Sequence, residues 1–177
     1  MRRRTAIVVM GFMMLASRPL PARAEPGSID ARRELARALL GAWLPLESGL
    51  AVSVREGTPL SAKYEIDDGV FQLSVYTWKS DSASGDAFQE VIVDFNTGLV
   101  ARVDAITDGG DLTAAQGQTS TMARAKRSLG EATADVVRAN AGYRAVSATP
   151  TLAGGGPLAE VTLVRGDDWK VVTIPLD

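Results

Sequence analysis

Twice along this 177-residue chain a helical stretch gives way to short strands whose apolar residues fall on alternate positions. Residues 29–44, IDARRELARALLGAWL, set Ile29, Leu35, Leu39, Leu40 and Trp43 or Leu44 at helical spacing, with Arg32, Arg33 and Arg37 off that face. Pro45 interrupts the pattern. Tolerated in a first turn, it restarts a helix over PLESGLAVSVREG, with Leu46, Leu50 and Val54 on one side and Gly57 and Pro59 at the end. Strands follow. Tyr64 and Ile66 alternate with charged residues, Asp68-Gly69 marks a two-residue hairpin, and FQLSVYTW alternates again. In that strand Phe71, Leu73, Val75 and Thr77 share one face; Gln72, Ser74, Tyr76 and Trp78 share the other.

After TDGGD the order repeats. Residues 112–142 are Ala-rich and largely helical, with Asp111 as expected N-cap, and three further strands run to Asp177. LESGLAVSVREG aligns with LGEATADVVRAN, Leu46 over Leu129 and Val54 over Val137. LSVYT is set against VTLVR, and FQEVIV against WKVVTI. Repetition on this scale implies a duplicated small module.

The first 24 residues stand apart. Arg2, Arg3 and Arg4 precede an apolar run, TAIVVMGFMMLA, too short to span a bilayer comfortably, and Ala22-Arg23-Ala24 fits a cleavage site. The expectation is an exported protein, periplasmic or secreted, with its leader removed after Ala24. The remainder carries 14 basic and 21 acidic residues, a net charge of −7 against −2 for the whole. So acidic a chain is a poor partner for nucleic acid or an anionic membrane. It has no Cys and no His. Serine–histidine triads, thiol chemistry and mixed Cys/His metal sites are thereby excluded, and carboxylate or Lys/Ser chemistry is what remains.

The stretch IVDFNTGLVARV, residues 92–103, bears on metal binding. Asp94 and Asn96 match the first and third positions of a calcium loop. However, Gly98 falls fifth where a ligand belongs, and Ala105 stands where the closing Glu should be. Two strands joined by a tight Asn/Gly turn fit better. No metal and no cofactor is expected.

Taken in order, the helix LESGLAVSVREG, the strand FQLSVYTW and the closing hairpin EVIVDFNTGLV resemble a PepSY domain. The resemblance covers residues 45–106 well; residues 128–177 look like a degenerate second copy that lacks the Asp-x-x-Thr-Gly turn. It implies an α+β fold of two PepSY-like units, each a helix on a small antiparallel sheet, preceded by an N-terminal helix. The divisions are 1–24 leader, 25–44 N-terminal helix, 45–107 first unit and 108–177 second. The family occurs in propeptides of thermolysin-like metallopeptidases and in exported bacterial proteins, and it brings no catalytic residues. The expected function is non-enzymatic binding of a protein or peptide in the cell envelope, a peptidase among the candidates. The alternative is a cation-binding or envelope-stress accessory role for the acidic surface.

The candidate partner-binding residues are Tyr76 and Trp78. A sheet covered on one side would leave them partly wet beside the polar loop KSDSASGDA. Phe88 and Trp169 are read as sheet-covering rings, Asp67-Asp68 as solvated turn residues, and Lys63 with Glu65 as a surface pair. Arg124, Lys126 and Arg127 are read as a solvated helix face.

Overall fold

The computed structural model describes residues 28–81 and 85–177. The leader and its cleavage after Ala24 lie outside the described residues. Helices α1 (Ile29–Leu39) and α2 (Leu46–Ser53) come first, α2 running into a 3-10 turn, Val54–Glu56. A meander follows: β1 (Thr58–Asp67), β2 (Val70–Asp81), β3 (Gly85–Val93) and β4 (Val100–Ile106). Then come α3 (Gly109–Met122), α4 (Leu129–Ala139), and a second meander of β5 (Arg144–Ala153), β6 (Gly156–Arg165) and β7 (Asp168–Pro175). The protein is α+β, with four helices and one antiparallel seven-stranded sheet ordered β4-β3-β2-β1-β5-β6-β7. Both meanders thus share a single sheet, joined where β1 pairs with β5 through Ala62–Ala148 and Lys63–Ser147. Among the described residues no helix is long and apolar enough to cross a membrane.

Local chemistry explains the helix ends. Ser28 caps α1 by accepting from the Ala31 amide at 3.3 Å. Ser128 and Glu131 form a reciprocal capping box at the start of α4. Helix α1 stops at Leu39, short of the residue-44 limit suggested by spacing: the Trp43 and Leu44 amides, which would continue it, donate to the Phe95 carbonyl instead, and the Arg144 guanidinium takes up the Leu39 carbonyl at 2.6 Å. The Ala-rich stretch is two helices, broken over residues 123–128. Asp108, not Asp111, is the N-cap residue of α3.

Alternation along the strands predicts an inward face of Leu73, Val75, Val91, Val93, Val161, Leu163, Val172 and Ile174, and that face is the core. Leu73, Val75, Val91, Val93, Val161 and Leu163 are fully buried, with Val172 and Ile174 packed partly buried at its margin. Each such side chain contributes roughly 1.5–3 kcal/mol. Helices α2 and α4 lie on this front face. Gly49 permits the approach: a Cβ there would stand 2.5 Å from Leu73 Cδ2. The other face is covered too. Helix α3 crosses the back of the first meander, and α1 borders the back of the second, where Leu39 lies beside Val164 and Arg32 sits 6.0 Å from the Trp169 ring.

Features of the first half recur in the second, at one spacing in the leading strand pair and another in the helix before it. The β1–β2 tip pairs Asp67 with Val70, and 86 residues on Ala153 pairs with Gly156. The register of β1–β2 slips between Pro59 and Ser61; that of β5–β6 slips between Ala145 and Ser147, again 86 residues on. Ala62 pairs with Ala148, its own counterpart at that spacing, so a local two-fold axis passes between them. Helix α2 buries Leu46, Gly49, Leu50 and Ser53; α4 buries Leu129, Ala132, Thr133 and Val136, each 83 residues later. The Trp43 and Leu44 amides both donate to the Phe95 carbonyl (3.1 and 2.9 Å). The Lys126 and Arg127 amides both donate to the Leu176 carbonyl (2.6 and 3.2 Å). These spacings set LSVYT against Ala159–Leu163, two residues from the sequence alignment, and leave FQEVIV against WKVVTI unchanged.

Tyr64 fastens the α1–α2 connection to the sheet: its buried hydroxyl donates to the Leu44 carbonyl at 2.5 Å. Burial pushes its pKa from 10.0 up to about 12, the Arg144 charge opposing and the Glu47 charge adding. A folded pKa above the unfolded one contributes stability that is whole below pH 10 and is lost as pH rises toward 12. The expected phenolate titration at 295 nm has one component near pH 12, missing in Tyr64→Phe. The wild type loses stability across that window more steeply than the variant.

Gly57 ends the 3-10 turn at φ +145°, where a Cβ would meet the Trp78 carbonyl oxygen at 2.7 Å. Backbone there cannot yield, so Gly57→Ala is expected to lower unfolding free energy by about 1–3 kcal/mol. Gly117, helical with open space around it, is the control: Gly117→Ala should raise stability by up to about 1 kcal/mol. Urea denaturation checks both.

Candidate functional site

Tyr76 and Trp78 point to the back face, as their alternation with Leu73 and Val75 requires, but that face is not bare. Both rings pack partly buried against Leu60, Phe88 and Ala115, beneath α3 residues Leu112 and Met122. The sheet is therefore covered on both sides here rather than on one, while both rings keep the partial exposure expected of them. Tyr76 donates to the Asp111 carboxylate in the first turn of α3. Its hydroxyl is pushed far above the ordinary tyrosine range, chiefly by burial, then by that hydrogen bond and by the charges of Asp111, Glu90 and Glu65. Trp78 Nε1 is buried without an acceptor among the described residues. Of the other two rings, Phe88 is buried and Trp169 half-buried.

Beside this roofed patch the back face is polar. Lys63 Nζ pairs with Glu65 at 2.6 Å, and Glu65 also accepts from Ser74 Oγ at 2.7 Å and Gln72 Nε2 at 3.3 Å. Burial raises the Glu90 pKa, while the nearby Ser74 hydroxyl and the Lys63 charge pull it back. This is a satisfied ionic network in which Lys63 and Glu65 spend their charges on each other. Asp67 and Asp68 sit at the exposed hairpin tip, Asp68 at φ +48°. In the β3–β4 turn Asp94 Oδ1 accepts from the Asn96 and Thr97 amides at 2.8 and 3.1 Å, which hold its carboxyl below the usual range. Gly98 supplies the positive φ, +71°, that closes the turn. Among the described residues no group of three or more His, Cys, Asp or Glu is placed to hold a metal ion. Of the basic cluster, Arg124 donates to the Gly155 carbonyl and Arg127 pairs with Asp135 at 2.5 Å.

A different surface combines apolar contact with concentrated charge. Between the end of α1 and the β6–β7 turn lies an open groove of about 330 Å³, lined by Leu39, Leu40 and Val164, by Arg33, Arg37, Arg144 and Arg165, and by one acidic residue, Asp167. Leu40 is 84% exposed, and neighbouring Trp43 is 86% exposed. Arg33 keeps Asp30 at 3.8 Å, and Arg165 keeps Asp168 at 3.4 Å while lying 4.5 Å from the Tyr143 ring. Arg144 donates to backbone carbonyls and has no carboxylate partner among the described residues. Arg37 has no acidic partner among the described residues. Four arginines against one aspartate, beside aliphatic residues, favour a ligand with carboxylates next to an apolar side chain. Sequence reasoning placed Arg33 and Arg37 on a helix face turned from the core. Their i, i+4 spacing was visible; the arrival of Arg144 and Arg165 was not.

No family model, curated protein or solved structure matches this chain.

With Tyr76 and Trp78 under α3, the double substitution Tyr76→Ala and Trp78→Ala is expected to remove about 3 kcal/mol or more of stability, within the range for large-to-small core changes. Equilibrium denaturation measures it. A double variant as stable as the wild type would show that the rings carry no packing.

Proposed function

We propose that this chain is a non-catalytic binding module of the cell envelope that holds a protein or peptide, built from two PepSY-like units, residues 45–107 and 108–177. Support for two units comes from the tip, strand slip, helix burial and double amide latch, each of which recurs in the second half where most side chains do not. The observation that carries the binding role is the arginine-rimmed apolar groove. An acidic chain that gathers four arginines around exposed leucine has a surface suited to an acidic–aliphatic segment of a partner. A peptidase is one partner of this kind, as the PepSY resemblance implies. With Tyr76 and Trp78 partly buried under α3, the groove is the better-supported contact surface.

Fluorescence anisotropy with dye-labelled peptides tests the reading. A Leu-Leu-Asp-Glu peptide is expected to bind, and a Leu-Leu-Lys-Lys peptide is not. Arg33→Glu combined with Arg37→Glu should weaken the acidic peptide at least tenfold, equivalent to about 1.4 kcal/mol. Arg102→Glu on β4 should leave binding unchanged. Equal affinity for both peptides, or no effect of the groove variant, would overturn the placement.

A further inference from the structure

We propose that two copies of this chain join edge to edge along β7, about a two-fold axis at Val172, into one continuous antiparallel sheet. The first meander shows what can lie beside a strand in the position of β7. Thr77 pairs with Gln89 on β3, and its counterpart Leu163 pairs with Lys170 on β7. Gln89 therefore corresponds to Lys170, Val91 to Val172 and Val93 to Ile174. The outer side of β3 is covered by β4, with Val103 opposite Val91. The outer side of β7 has no strand beside it among the described residues. Burial records the difference. Val91 and Val93 are 0% and 1% exposed, whereas Val172 and Ile174 are half-buried and Val171 is 56% exposed.

The pairing opposite β3 also indicates the occupant. A valine faces Val91, and a second β7 centred on Val172 supplies a valine opposite Val172. In that register Val171 faces Thr173 of the second copy, Lys170 faces Ile174 and Trp169 faces Pro175. Over Trp169–Pro175 no two like charges meet, and Lys170 is held by Asn140 Oδ1 at 2.7 Å; Asp167 and Asp177, which the same register would bring together, lie beyond the strand. Residues facing each other lie on the same side of the sheet, so the front helices of both copies stay on one face. The fold already contains such a junction at Ala62–Ala148, and two-fold dimers are the commonest closed assemblies.

The two edges of the sheet differ in the way this pairing needs. β7 keeps an uninterrupted register with β6 over eight pairs and presents the β-branched run Val171-Val172-Thr173-Ile174. β4 is blunted: its register with β3 slips between Ile92 and Val93, and Arg102 and Asp104 form an ion pair at 2.5 Å along it. Slips and charges are the devices by which proteins close an edge to further pairing.

Size-exclusion chromatography with light scattering on the purified chain, over a concentration series, tests this. Twice the chain mass is expected, falling to the monomer on dilution. The double substitution Val171→Lys and Thr173→Lys sets like charges face to face at two exposed positions, and should give a folded monomer by circular dichroism. The double substitution Val171→Glu and Thr173→Glu should do the same alone. Mixing the two variants should restore a 1:1 dimer, which loss of folding in either could not produce. A monomeric wild type at every concentration, dimers that persist in either variant, or a mixture that stays monomeric would each overturn the proposal. So would open-ended oligomers, or a β7 edge already covered by another segment of the chain.

Discussion

Everything in this molecule is arranged about the short β1–β5 ladder, where two alanines face each other. Only Ala62–Ala148 and Lys63–Ser147 pair there, yet this contact turns two meanders into one sheet. Alanine at that point leaves room above the sheet. Helices α2 and α4 meet over it, and a Cβ on Gly130 would reach within 3.7 Å of Leu50 Cβ. Larger side chains at the junction would lift the helices from the strands, and overpacking a dense interior is destabilising. A glycine against Leu73 and a glycine against Leu50 are thus part of the same constraint as the two alanines.

The chain must pass from the back of the sheet to the front twice, and both passages are fastened through backbone. At each, a single carbonyl beyond a strand end accepts two successive amides just before a helix. The first passage receives additional ties from Tyr64 and Arg144, which converge on the Leu44 carbonyl. Connections of this kind leave few polar main-chain groups unpaired where they are drawn into the interior. They also fix where α1 ends, and so where Leu40 and the arginines of the groove stand.

Alternation and turn chemistry made much of this legible in the sequence. Leu73, Val75, Val91 and Val93 were placed inward by period alone, and Asp68-Gly69 and Asn96-Thr97-Gly98 marked their hairpins. The roof over Tyr76 and Trp78 was hidden because α3 has no apolar stripe. It packs with Leu112, Ala115 and Met122, among small and polar residues, and such a helix does not announce the face it covers. The clue was in the strands: Tyr76, Trp78 and Phe88 are large rings opposite an already apolar face, which suits a sheet covered on both sides. The two-residue misalignment of LSVYT follows from the same periodicity, since a period-two pattern matches itself after any even shift. The groove was illegible because it joins Arg33 and Arg37 to residues more than a hundred positions away.

The strand order carries a consequence for how the chain reaches this state. Five of the six neighbouring pairs join strands consecutive in sequence; only β1–β5 spans the distance between the meanders. Each meander can therefore zip from its own tight tip with little loop-closure entropy to overcome, as in chains of low contact order. The β1–β5 contact has no such advantage and depends on both edges being formed. It is suited to a late event, after the rate-limiting barrier. Weakening it would then leave the speed of folding nearly untouched and quicken the return to the unfolded state.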